Sequence, residues 1–244
     1  MLKILRAEIL KLKRSPMIPV SLAGAAVTPL IIWLGYLLYS TGRAESLPDL
    51  AHFLQETDFY VVLLIGCPLY GVLAAYLYNR EFAEGTMKSL LAIPVSRDAL
   101  VVGKYLVLLL WMLALSVFSW AVGWALAALA GFPGSGAAPA LALLPAFLSG
   151  GFFSWLLMTP IVYATLLFRD YVPVIVCAVA VTLASVVLSN SRFRFYYPWT
   201  AAFFLSARGF RPEIPPIGAY VTVFGTAAAG LVASLARFRR LDVR

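Results

Sequence analysis

The sequence predicts an all-α polytopic membrane protein with six transmembrane helices. Three observations carry that prediction. Hydrophobic residues make up 62% of the chain and charged residues 12%, whereas soluble domains lie near half and a quarter. The apolar residues gather into six runs, each long enough for the roughly 20 helical residues that cross a hydrocarbon core. The polar stretches between them are short, so 244 residues leave no room for a soluble domain and 1–244 reads as one transmembrane domain.

Residues 1–16 place Lys3, Arg6, Glu8, Lys11, Lys13 and Arg14 ahead of the first run, and no convincing cleavage site follows, which argues against a signal peptide. Leu2, Leu5, Ile9 and Leu12 recur at spacings of three and four. Basic residues flank that apolar face, as expected of an interfacial helix on the cytoplasmic leaflet, drawn to anionic lipid heads. The first span runs from about Met17 to Tyr39, with Pro19 and Pro29 as possible bends. The polar stretch 41–57 reads as a loop. The second span runs from about Phe59 to Tyr78, with Pro68 as a kink, and the third from about Ala99 to Leu129. The third exceeds the hydrocarbon thickness, so it tilts or projects beyond it. Gly131–Gly136 reads as a flexible break. The fourth span covers about Leu141 to Phe168, with interruptions expected near Gly150-Gly151 and Pro160. After a short turn at Arg169-Asp170, the fifth runs from about Val172 to Leu188. The sixth runs from about Gly218 to Ala236 and ends in a basic tail of Arg237, Arg239, Arg240 and Arg244.

Two polar stretches stand out. The first runs from Tyr78 to Lys104 and includes the knuckle 80–98. Gly85 can stop a helix, Thr86 can cap a new one, and Met87, Leu90 and Leu91 share one face of it. Pro94 ends that short helix, and Ser96 can cap the third span. The sequence Glu81-x-x-x-Gly85-Thr86, Leu90-Leu91, Pro94-Val95-Ser96-Arg97 and Gly103-Lys104, with Glu8 and Lys11 in support, resembles the ABC type-2 exporter permeases. The likeness extends over nearly the whole chain in layout, although its specific part is only about 25 residues. It implies that the short helix docks on a separate ATPase subunit. On that basis Glu81, Phe82, Gly85, Thr86, Met87, Lys88, Leu90, Leu91, Pro94 and Arg97, with Glu8 and Lys11, are the expected coupling residues.

The second stretch, 191–217, is too polar to span and too aromatic for a plain loop. Tyr196, Tyr197 and Trp199 suit the headgroup level, and Ala201–Leu205 is too short to cross. A dip that returns to the same side fits, and the resemblance implies re-entrant helices here. Peptide-antibiotic members carry a similar Tyr-Pro-Trp-Thr segment. The expected re-entrant residues are Tyr196, Tyr197, Pro198, Trp199, Thr200, Phe203 and Phe204. With both termini in the cytoplasm, 14 of the 19 Lys and Arg fall inside and five (Arg43, Arg192, Arg194, Arg208, Arg211) outside, as the positive-inside rule requires.

Composition also excludes chemistry. No Gly-x-x-x-x-Gly-Lys-Ser/Thr phosphate loop occurs, and no nucleophile–base pair or metal-ligand cluster stands out. Cys67 and Cys177 lie alone in apolar runs, and the basic charge tracks the membrane boundaries, so neither a metal nor a nucleic acid is expected. The middles of the spans read as nearly free of ionisable residues, which disfavours ion-coupled transport and sodium export. The resemblance implies a permease that pairs with a second permease, identical or related. It also implies cytosolic ABC ATPase subunits that supply ATP and Mg, with no cofactor on this chain and no catalytic residue. The expected setting is the plasma membrane, in contact with its lipids. Amphipathic cargo, with a peptide antibiotic first, suits an apolar path with aromatics at its mouth. Lipid or ion export, a membrane scaffold or sensor that recruits a cytosolic partner, and a lipid-modifying enzyme built on the outer arginines are the alternatives.

Overall fold

The computed structural model describes residues 2–13, 15–40, 47–86, 96–206 and 217–240. Six helical units in it are long and apolar enough to cross a membrane, and they match the six runs read from the sequence. Helix α1 (Leu2–Lys13) leads into α2 (Met17–Ser40) through Ser15. The Ser15 hydroxyl accepts from Met17 N at 3.0 Å and donates to the Tyr76 hydroxyl at 2.8 Å. Helix α2 keeps Val20, Ile31 and Leu38 exposed, so one side of it faces outward.

The second span differs from the sequence expectation. It begins at Leu50, where the expectation had a loop, and runs through α3 (Leu50–Tyr60), a π-helical turn (Val61–Ile65) and α4 (Gly66–Ala83). The Asp49 carboxylate starts it by accepting from His52 N at 3.1 Å. Leu50, Phe53, Leu54, Thr57 and Asp58 then bury one face, while His52, Gln55 and Glu56 leave the polar residues on the other. The π turn precedes Pro68, which cannot donate to the Leu64 carbonyl four residues back, and a widened turn accommodates that loss.

Helix α5 (Arg97–Leu129) starts where the sequence places a cap: Ala99 N donates to Ser96 Oγ at 3.2 Å. Its 33 residues span roughly 50 Å. The segment after it is a turn that separates the third and fourth spans where the sequence places a break. Gly131 and Gly134 take positive φ, and Phe132 is buried with its ring 5.2 Å from that of Phe53. The fourth span consists of α6 (Ala137–Leu156) and α7 (Met158–Phe168), separated at Leu157. Pro160 cannot donate to the Leu156 carbonyl, and the Tyr105 hydroxyl contacts it instead at 3.2 Å and the Trp155 carbonyl at 2.6 Å. Gly150 and Gly151 do not interrupt the helix as expected. A Cβ at Gly150 would press on Val62, and one at Gly151 on Ser116, so both serve close packing.

Arg169, in the left-handed region at φ 54°, turns the chain into α8 (Tyr171–Ser189), which Asp170 caps. Helix α9 (Pro198–Ser206) is buried from Thr200 to Ser206 against α6, α10 and the π turn. Helix α10 (Ile217–Arg239) packs on α7 through Gly230, where a Cβ would come within 2.6 Å of Pro160 N. Small residues that let backbones approach are the usual helix contact in lipid. The main core gathers Tyr70, Leu73, Tyr78, Leu108, Met112 and Met158, chiefly between α4, α5 and α7.

Candidate functional site

Four charged side chains meet at the C-terminal end of α4. Lys104 Nζ lies 2.6 and 2.7 Å from the two Glu81 oxygens, 2.6 Å from the Leu77 carbonyl and 3.4 Å from Glu8 Oε2. Lys11 Nζ lies 2.8 Å from Glu8 Oε1 and 3.4 Å from Glu81 Oε1. Glu81 is 2% exposed, Glu8 4% and Lys104 6%. Two carboxylates and two ammonium groups therefore neutralise one another, with Glu8, Glu81 and Lys104 buried and Lys11 partly open to solvent at the edge, the pairing that buried charges require. Burial opposes ionisation of Glu8, but Lys104 and Lys11 outweigh it and hold the carboxyl below its ordinary range. Burial likewise opposes the Lys11 charge, and Glu8 and Glu81 outweigh it, so that ammonium is held above its ordinary range.

Local structure brings these groups together. Gly103 on α5 leaves room for Ile4 of α1, since a Cβ there would stand 2.8 Å from Ile4 Cγ2. Leu12 is buried in the main core with Leu5 and Ile4 packed beside it, which fixes the polar side of α1 over Glu81. The Tyr78 hydroxyl donates to the Val101 carbonyl at 2.8 Å and ties α4 to α5 next to Lys104. Helix α4 ends in a Schellman turn. Gly85 N donates to the Phe82 carbonyl at 3.3 Å and Thr86 N to the Glu81 carbonyl at 3.0 Å, with Gly85 at φ 65°. Glu81 is thus held at its side chain by α1 and α5 and at its carbonyl by the turn that opens the knuckle.

The other end of the knuckle is anchored too. Arg239 of α10 grips the Asp98 carboxylate through Nε at 2.8 Å and Nη2 at 2.5 Å, and Arg97 Nη1 donates to the Arg239 carbonyl at 2.9 Å. Phe82 is half-buried under the Arg169 guanidinium, 5.4 Å from its ring, and Thr86 is exposed. Met87, Lys88, Leu90, Leu91 and Pro94 lie outside the described residues. Sequence reasoning named Glu8, Lys11 and Glu81 but missed the role of Lys104, the hub. A lysine near the start of an otherwise apolar run was the available signal.

The aromatic stretch is well separated from the cluster. Phe203 and Phe204 pack on Val62 and Leu63, so α9 lies about 30 Å along the second span from Glu81. Pro198 opens α9, Thr200, Phe203 and Phe204 are buried, and Trp199 is half-buried. Tyr196 is exposed, and the Tyr197 hydroxyl donates to the Val181 carbonyl of α8 at 3.1 Å. Asp58, on α3, corrects the expectation of spans nearly free of ionisable groups. It is 1% exposed, and neither carboxylate oxygen has a hydrogen-bond partner.

Known proteins place this architecture. The model of the ABC-2 family transporter protein family matches residues 4–185, which include the ion cluster, the first four spans and most of the fifth. The chain belongs to the ABC-2 transporter family. It is 37% identical over 189 residues to the bacitracin transport permease protein BCRB of Bacillus licheniformis, a match that covers 78% of this chain and 91% of that protein. The ABC-2 permease is therefore a multi-pass membrane subunit of an ABC transporter, a family in which association with an ABC ATPase is implied.

Proposed function

We propose that the permease exports an amphipathic cargo, with a peptide antibiotic as the first choice, and so protects the cell that carries it. The single observation behind the mechanism is the Glu8–Lys11–Glu81–Lys104 cluster. It joins α1, α4 and α5 where α4 enters the knuckle, so a force on the knuckle reaches three helices together. Cytosolic ATPase subunits that bind ATP and Mg push the segment 84–97, and the ion cluster carries the displacement into the bundle. A second permease, identical or related, supplies the surface against which the bundle rocks. The knuckle and both termini face the cytoplasm in this reading, α1 lies at the membrane surface, and α9 forms the re-entrant element on the outer side. The cluster is internal, so Glu81 acts by positioning the knuckle and Thr86 with the residues after it meets the ATPase. The cargo assignment draws on the relative's name, bacitracin transport permease.

Affinity capture of the tagged permease from its host, in gentle detergent, tests the reading. A P-loop ATPase is expected to co-purify, and its ATP hydrolysis is expected to rise with bacitracin. Glu81→Gln is expected to retain the ATPase and abolish the stimulation. Absence of any nucleotide-binding partner, even after crosslinking, would turn the assignment toward a membrane scaffold.

A further inference from the structure

Away from the ion cluster, α2 and the second span enclose a groove of about 510 Å³. That is the size of a small-molecule site. Its walls are mainly apolar, with Val27, Ile31 and Ile32 on one side and Leu64 and Ile65 on the other. Glu56 is the charged side chain among its lining residues, and the Tyr36 hydroxyl donates to its Oε2 at 2.5 Å, fixing it at the wall. A second recess of about 270 Å³ lies between α3 and Phe203 of α9, and it shares Glu56 and Tyr60 with the groove. Two volumes, one apolar and one lined by His52 and Gln55, therefore meet at a single carboxylate. At Gly35 the groove has open space, since a Cβ there would meet nothing within 4 Å.

We propose that this groove binds the cargo as a cationic amphiphile, with its apolar body along α2 and the π turn and an amine or guanidinium at Glu56. The proposal rests on the export reading and gives it a recognition site. A carboxylate set in apolar walls favours a cation that brings its own apolar surface, because both charges then leave water as a pair. Gly35 keeps the floor of the groove clear, and Phe203 lines the far recess, so an occupant that reaches past Glu56 into that recess meets α9.

The test uses the permease alone in nanodiscs of phosphatidylcholine, with no ATPase present. The probes are dodecylamine and dodecanol, each with a diazirine at the chain end, compared at equal membrane concentration. Labelled peptides are mapped by mass spectrometry. The amine is expected to label residues 27–36 and 60–65 about tenfold more than the alcohol, the scale of one charge-assisted contact. Glu56→Gln is expected to remove the difference, Glu56→Asp to keep it, and Gly35→Phe to block both probes. Equal labelling by the two probes in the wild type would mean a groove filled by lipid tails, and labelling elsewhere would mean no site; either overturns the proposal. Because binding is read without the ATPase, charge-selective labelling together with an affinity capture that finds no ATPase in the host would sink the export reading and leave the site standing.

Discussion

Replacing Glu81 with Gln tests the ion cluster most directly. The amide keeps the shape but removes one charge of four, which leaves Lys104 beside the Leu77 carbonyl with Glu8 at 3.4 Å. Loss of one partner of a buried pair costs about 3–5 kcal/mol. Glu8 remains nearby, so the low end applies, and about 3 kcal/mol corresponds to a roughly 100-fold shift in the unfolding equilibrium. Adding Lys104→Met removes the stranded ammonium and leaves Glu8 paired with Lys11. The double variant is therefore expected to recover at least about 1 kcal/mol relative to Glu81→Gln, although two single losses would otherwise add. Reversible unfolding of the purified permease in mixed micelles measures all three. A Glu81→Gln loss below about 1 kcal/mol, or a double variant less stable than the single, would refute the internal cluster. The pH dependence has a fixed sign. Glu8 is held below its ordinary range, so its contribution is full above the unfolded value and disappears as pH falls through the lower folded one. Lys11 is held above its range, so its contribution is full below the unfolded lysine value and is lost as pH rises through the higher folded one. Glu8→Gln and wild type should therefore converge in stability at acid pH.

Three further outcomes follow from the geometry. Tyr105→Phe strips the hydroxyl from the Trp155 and Leu156 carbonyls and should cost about 1–3 kcal/mol in the same unfolding assay; no loss would mean that the break at Leu157 needs no such support. Gly85→Ala should destabilise by roughly 1 kcal/mol because φ is 65°, while Gly85→Asn, which tolerates the left-handed region, should cost less; equal losses would argue against the Schellman turn. Asp58→Asn should leave stability at or above that of wild type, since the carboxylate makes no hydrogen bond to lose, and a clear loss would mean an interaction the structure does not contain.

Much of this architecture was legible in one sequence. The six apolar runs needed only length and composition, and Gly85 and Ser96 announced the ends of the helices beside the knuckle. The start of the second span was hidden because polar residues such as Asp49, His52 and Glu56 made 41–57 look like a loop, while Leu50, Phe53, Leu54 and Thr57 carried the helical spacing underneath. Glu81 and Lys104 are 23 residues apart and Glu8 and Lys104 are 96 apart. No local pattern reveals that such groups neutralise one another, so carboxylates that stand inside the fold were read as a surface for a partner. Pro160 was noticed, but the break falls three residues before it, beside the Leu156 carbonyl that the missing proline N–H leaves without a helical donor.

The π turn at Val61–Ile65 has a consequence for how this chain tolerates insertion and loss. Each helical residue advances the side chains by about 100° around the axis. The wider turn takes up about one extra residue, so removing a residue within it would restore an ordinary helix and keep α3 and α4 in phase, whereas removing one elsewhere in the span would swing everything downstream by that angle relative to α3. With α3 locked by Phe53 and Phe132 at one end, Glu81 would then face away from Lys104 at the other. The span behaves as a shaft with its two ends keyed in fixed phase. Changes of length are tolerable outside the stretch between Leu50 and Glu81, as a single deletion that closes the π turn, or in pairs that cancel within the span.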